Sequence, residues 1–332
     1  MKLATLKNGK RDGELIVVNR QLTKAVKASP IAPTLQAAID NWQVTSKELE
    51  KIYAALNENK QADAFDLDVE KLSAPLPRAY QWLDSSAYVN HVELVRKSRG
   101  IEMPADFWTN PLMYQGGSDT FLGPYDPIEI ADEKYGIDLE AEVTVITDDV
   151  PMNISPENAK KHIILVMLVN DISLRDLAVK ELGKGFGFVH AKPSSSFSPV
   201  AVTPDELGSA WDGTKVTLRI RSYINDKLFG QPFAGVDQTF TFPQLIAHAA
   251  KTRHLAAGTI IGSGTVSNRD RTSGSSCLVE KRTLEIIESG EVKTPYLKFG
   301  DKVRIEMLSE KGESIFGAID QKVMEYKNDN TI

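Results

Sequence analysis

Apolar residues fall in three rhythms along the chain, and each rhythm predicts a different element. At the start, KLATLK and LIVVN flank the polar turn NGKRDGE and predict a small β unit. Between residues 34 and 57, Leu35, Ala38, Ile39 and Trp42, then Leu49, Ile52, Tyr53 and Leu56, repeat at helical spacing. Pro75 and Pro77 in SAPLPRAY break the pattern, which places a junction near residue 75 between a small N-terminal domain (1–75) and a larger one (76–332). Beyond it, SSAYVNHVELVRKS reads as a helix opened by a serine cap. Residues 100 to 127, rich in Gly, Pro and aromatics, read as a loop long enough to be functional or mobile. A strand is predicted over 137–147, and a helix capped at Ser155 with Pro156 in its first turn. IILVMLVN is apolar almost throughout, which predicts a strand buried on both faces. From residue 199 strands dominate: PVAVT, VTLRIRSYI with an Asn225-Asp226 turn, TIIG, TLEII, and DKVRIEML paired with SIFGAIDQKV. One helix, FPQLIAHAAKT, interrupts them. The class is α+β and β-rich, because strands and helices do not alternate as in a doubly wound sheet.

Composition narrows the chemistry. The 332 residues, 42% hydrophobic and 25% charged, are those of a soluble globular protein, and no apolar run approaches the ~20 residues that cross a bilayer. A net charge of −6 provides no basic field for a phosphate backbone, so neither nucleic acid nor membrane is an expected partner. A single cysteine, Cys277, rules out an intrachain disulfide and a cysteine zinc site. With no apolar segment after the first lysine, the expected compartment is the cytoplasm.

Several motifs are set aside. GKGFG (183–187) and GSG (262–264) lack the full spacing of a phosphate loop and read as turns, and neither G-x-S-x-G nor H-E-x-x-H is present. The run YGIDLEAEVTVITDD is different. On a strand, Asp138, Glu140 and Glu142 would share one face, and carboxylates that close are costly to bury without a counter-charge. Asp171 sits where IILVMLVN emerges, Arg175 follows four residues later, and Lys192 stands before a serine-rich loop. Oxygen ligands alone suit Mg²⁺, Mn²⁺ or Ca²⁺ better than zinc. Of the five histidines, His162 and His248 look incidental, whereas His91 follows Asp84 by seven residues.

In order, LDSSAYVNH, DLEAEV, VNDISLRDL, HAKPSSSFSP and GSGTVSN make the segment from about residue 80 to 325 resemble the bacterial type of the fumarylacetoacetate hydrolase family. That resemblance implies a mixed β-sandwich roll with a small N-terminal α/β unit, and a homodimer. It implies Asp84, Glu140, Glu142 and Asp171 as ligands of Mg²⁺, with Mn²⁺ or Ca²⁺ as alternatives. His91 becomes the general base, held by Glu280. Arg175 and Lys192 become charge-stabilising catalytic groups, and Tyr114, Thr265 and Arg99 contact substrate. Leu174 stands where the family usually has Ala, and Ala178 where it often has Gln. The implied reaction is metal-dependent hydrolysis of a carbon–carbon bond in a small diketo acid, fumarylacetoacetate first, as in tyrosine breakdown. Acylpyruvate hydrolysis, oxaloacetate decarboxylation, catechol-pathway hydration or isomerisation, and a non-catalytic binding role are the alternatives. Within the acidic row Asp138 is expected to be a mere flanking residue.

Overall fold

The computed structural model describes residues 1–98, 100 and 102–328. Its largest sheet has eleven strands. From one edge, the order is Phe65–Asp66, Lys24–Lys27, Glu14–Val18, Lys2–Leu6, Ala201–Val202, Ile163–Asn170, Ala141–Thr147, Ile260–Gly262, Trp82–Ser85 and Met113–Gly116, with Ser196–Phe197 also paired to Ile163–Asn170. The predicted N-terminal β unit therefore extends the same sheet, with Lys2 opposite Val202. A five-stranded sheet is ordered Lys227–Gly230, Ile220–Ile224, Lys302–Met307, Ile319–Glu325 and Ile128–Ile130. The result is a sheet-rich α+β fold.

The strand Ile163–Asn170 shows why a continuous apolar run forms here. Ile163, Val166 and Leu168 enter one hydrophobic core, while Ile164, Leu165, Met167 and Val169 enter the other. Both faces are covered, so alternation with polar residues would bury unpaired groups. The second core is closed by two helices, Leu35–Ile39 and Trp42–Asn57, where the sequence reads as one helical stretch. The break falls at Asp40 and Asn41, short polar residues that compete for backbone bonds. Thr45 Oγ1 fixes the corner by donating to Ala38 O at 2.7 Å.

Two strand expectations need correction. TLEII lies inside the helix Leu278–Ser289. Its β-branched residues suggest a strand, but the helical period turns Thr283 inward and leaves Ile286 and Ile287 partly exposed, and Gly290 ends the helix at φ 76°. The predicted strand 137–147 is also interrupted, into Ile137–Asp138 and Ala141–Thr147. Glu140 N donates to the Asn170 side chain, and Ala141 N crosses to Ser276 O. Asp138 and Glu140 still share the Arg175 guanidinium, but Asp138 also accepts from the backbone of Leu278 and Val279.

Candidate active site

Four carboxylates from four places in the chain converge. Asp84 comes from the strand Trp82–Ser85, Glu142 from Ala141–Thr147, Glu140 from the interruption before it, and Asp171 from the exit of Ile163–Asn170. One oxygen from each lies within 4.8 Å of the others, and all four residues are buried. The sheet permits this only because residue 262 is glycine: a Cβ there would overlap Asp84 Oδ1 and the Trp82 ring.

Two of the four are densely bonded. Asp171 Oδ2 accepts from Lys192 Nζ at 2.5 Å and from the Tyr114 hydroxyl at 2.6 Å, and Oδ1 accepts from Ser195 Oγ at 2.7 Å. Glu140 accepts from the Arg175 guanidinium, from Thr265 Oγ1 at 2.9 Å and from Ser173 Oγ at 3.1 Å, with Lys192 Nζ 3.6 Å away. Burial pushes the Glu140 pKa upward, but Arg175 and Lys192 outweigh it and hold the carboxyl well below its usual range. Burial likewise opposes charge on Lys192, yet Asp171 and Glu140 keep its ammonium more basic than usual.

The other two are nearly bare. Asp84 accepts from Gly264 N at 3.1 Å, and neither oxygen of Glu142 has a donor among the described residues. Only a shared proton could join Glu142 to Asp84. Burial, followed by the Asp171 charge, raises the Asp84 pKa from 3.8 to about 7, and burial with Asp84 drives Glu142 well above the carboxylate norm. Four acids less the two cations Arg175 and Lys192 leave a formal charge of −2, which one dication cancels. An all-oxygen set with an orphaned carboxylate fits a hard divalent cation.

Beside the cluster, His91 Nδ1 meets Glu280 Oε2 at 2.7 Å, and His91 is near enough for its charge to act on Glu140. Glu280 is fully buried; it also accepts from Ser267 Oγ at 2.6 Å and has Arg271 3.6 Å from its other oxygen. Burial raises its pKa, but the bond to His91 and that residue's charge reverse the balance and hold it below normal. The structure thus brings together every described residue singled out in the sequence; Arg99 lies outside the described residues. Thr265 directs its hydroxyl to Glu140, and Tyr114 its own to Asp171. Ser173, Ser195, Ser267 and Arg271 were not singled out. Ser173 and Ser267 lie inside the motifs VNDISLRDL and GSGTVSN and Ser195 inside the serine run after Lys192, but a motif does not say which side chain turns inward, and Arg271 gave no signal.

Residues 81–324 match the family model described as fumarylacetoacetate (FAA) hydrolase C-terminal, and residues 1–78 match fumarylacetoacetase N-terminal domain 2. The chain belongs to the fumarylacetoacetate hydrolase family. Among its relatives, the oxaloacetate tautomerase fahd2 of Xenopus laevis is 28% identical over 47% of this chain and 47% of that protein, so the match spans about half of the frog protein. The oxaloacetate tautomerase YisK of Bacillus subtilis is 24% identical over 80% of this chain and 79% of its own length. A maleylpyruvate hydrolase from Sphingobium sp. SYK-6, solved with manganese(II) and pyruvate, shares the fold at TM-score 0.65 and 16% identity, covering 98% of this chain and all of that one. These relatives and neighbours thus carry both tautomerase and hydrolase names. No helix among the described residues is long and apolar enough to cross a membrane.

Proposed function

We propose that this protein hydrolyses a carbon–carbon bond in a β-diketo acid, with fumarylacetoacetate as substrate and fumarate and acetoacetate as products. The observation that carries the reading is the His91–Glu280 pair beside a four-carboxylate cluster, since a protein that only bound a ligand would have no need of an oriented base. The N-terminal match to a fumarylacetoacetase domain supports the choice of substrate, and we read residues 1–75 as that domain.

Asp84, Glu140, Glu142 and Asp171 would hold the cation, Mg²⁺ in this proposal with Mn²⁺ or Ca²⁺ as alternatives. When bound, a divalent cation supplies Lewis-acid polarisation of the dioxo group and charge stabilisation for the departing enolate. His91 takes a proton from water at Nε2, while Glu280 accepts the Nδ1 proton in a hydrogen bond and steadies the resulting imidazolium. The water oxygen bonds to the carbonyl carbon. The adjacent C–C bond then breaks, its electron pair goes to the leaving carbon, and that carbon recovers a proton. Lys192 offsets negative charge as it develops. Four carboxylates with one dication, Arg175 and Lys192 are near neutral, so an anionic substrate can enter. Dimerisation is proposed on the family likeness alone.

A second reading, keto–enol tautomerisation of a 2-oxo diacid, is favoured by the names of the frog and Bacillus relatives. There His91 would move a carbon-bound proton and no C–C bond would break. A panel of fumarylacetoacetate, acylpyruvates and oxaloacetate, assayed with and without EDTA, separates the readings. C–C cleavage that EDTA abolishes is the expected result. Enol–keto interconversion without cleavage would select the second reading, and ligand binding without turnover would select a binding protein. His91→Ala should lose about 10²–10⁴-fold in turnover while still binding cation; an unchanged rate would remove His91 as base.

A further inference from the structure

Asp138 stands outside the four-acid cluster, yet it is fully buried and makes three bonds. Its Oδ1 accepts from Leu278 N at 2.6 Å, and its Oδ2 accepts from Val279 N at 2.9 Å and from Arg175 Nε at 2.8 Å. Leu278 and Val279 open the helix Leu278–Ser289, whose own preceding residue, Cys277, provides no side-chain cap. The acceptor that the first turn lacks comes instead from a strand 140 positions earlier in the chain.

The next residue of that turn is Glu280, which holds His91. The other end of the Arg175 guanidinium reaches Glu140. A single carboxylate therefore touches both the turn that presents the base-holding acid and the cation that steadies the cluster. We propose that Asp138 is a positioning residue that sets the Glu280–His91 pair and the Arg175–Glu140 pair in joint register. Its role in turnover rests on His91 being the base.

Asp138→Asn keeps the size and one acceptor oxygen but turns an NH₂ group toward donors that already point inward. In protein loaded with Mg²⁺, kcat should fall roughly 10–100-fold, the range for groups that orient a metal-site residue. KM and the Mg²⁺ dissociation constant should change much less. Independently of activity, the ¹⁵N-histidine spectrum should show the hydrogen-bonded His91 Nδ1 proton shifted or lost. Gly290→Ala weakens the same helix from its left-handed C-terminal position and touches neither pair, so it should lower the melting temperature and leave both the signal and kcat unchanged.

An unperturbed His91 signal in Asp138→Asn, with only a lower melting temperature, would overturn the proposal, as would an equal perturbation by Gly290→Ala. If the asparagine variant does not fold, Asp138→Ser, which keeps a short acceptor, is read by the same signal with the same two outcomes. If the wild-type protein turns over nothing in the panel, the proposed function fails, while the imidazole signal still decides the role of Asp138.

Discussion

The two halves of the carboxylate cluster differ in how the protein treats negative charge. Around Glu140 and Asp171 the chain supplies its own compensation: two cations, three serine or threonine hydroxyls and one phenol. Around Glu142 and Asp84 the described residues supply one backbone N–H, to Asp84, and no donor to Glu142. The first half is held in place whether or not a cation is bound. The second has a proton or a cation as its possible counter-charge, so the site is a preorganised cradle on one side and an electrostatic demand on the other.

The sharpest way to break this contrast is to neutralise one acid in each half. Glu140→Gln and Glu142→Gln should each weaken cation affinity by roughly 100-fold, because each removes a charged ligand. Their effects on the cation-free protein should have opposite signs. Glu140→Gln deprives Arg175 and Lys192 of a partner and should destabilise the protein by about 3 kcal/mol. Glu142→Gln replaces a carboxyl that must hold a proton to meet Asp84 with an amide donor that needs none, so the melting temperature in EDTA should rise. Thermal melts and calorimetric titration with Mg²⁺ check both, and matching signs in EDTA would remove the distinction between the halves.

A smaller effect follows from Asp84, held at about 7 against the usual 3.8. In the cation-free protein the folded state keeps a proton that the unfolded chain releases above about pH 4. Stability in EDTA should therefore fall as pH rises from about 4 to 7. Glu142, also shifted upward, acts in the same direction. Cation affinity should rise over that window because binding displaces the proton. Melts across this range with EDTA and with Mg²⁺ would expose the slope; a flat EDTA series would contradict it. The smallest expected change is in the satisfied half: Tyr114→Phe removes one of three donors to Asp171 and should cost about 1 kcal/mol of stability, with cation affinity shifting less than about tenfold.

How much of this was legible in the sequence depended on how local the cause was. The buried strand IILVMLVN declared itself, because burial on both faces is written in consecutive residues. The four acids stood out through ordered motifs whose spacing survives in a single chain. The helix Leu278–Ser289 did not, since part of what starts it is Asp138, far away in sequence, and TLEII taken alone has a strand's composition. Asp138 was rightly set apart from the ligands, and the cluster leaves it out, but its bonds to Leu278 and Val279 were not legible because those partners lie far away in the sequence. Ser267 stood inside GSGTVSN with no role attached to it, because its hydroxyl matters only once Glu280 arrives beside it.

The close approach at Gly262 limits how this site could diverge. Strand positions usually accept a methyl group at little cost, so a glycine-to-alanine change is among the commonest single steps open to a drifting sequence. Here the volume of that methyl is already taken by an Asp84 oxygen and the Trp82 ring. Residue 262 cannot gain a side chain without moving that carboxylate. A hydrogen atom in place of a methyl group is thus a heritable spacer, and it marks position 262 as one where variation should be rarest among descendants that keep the cluster.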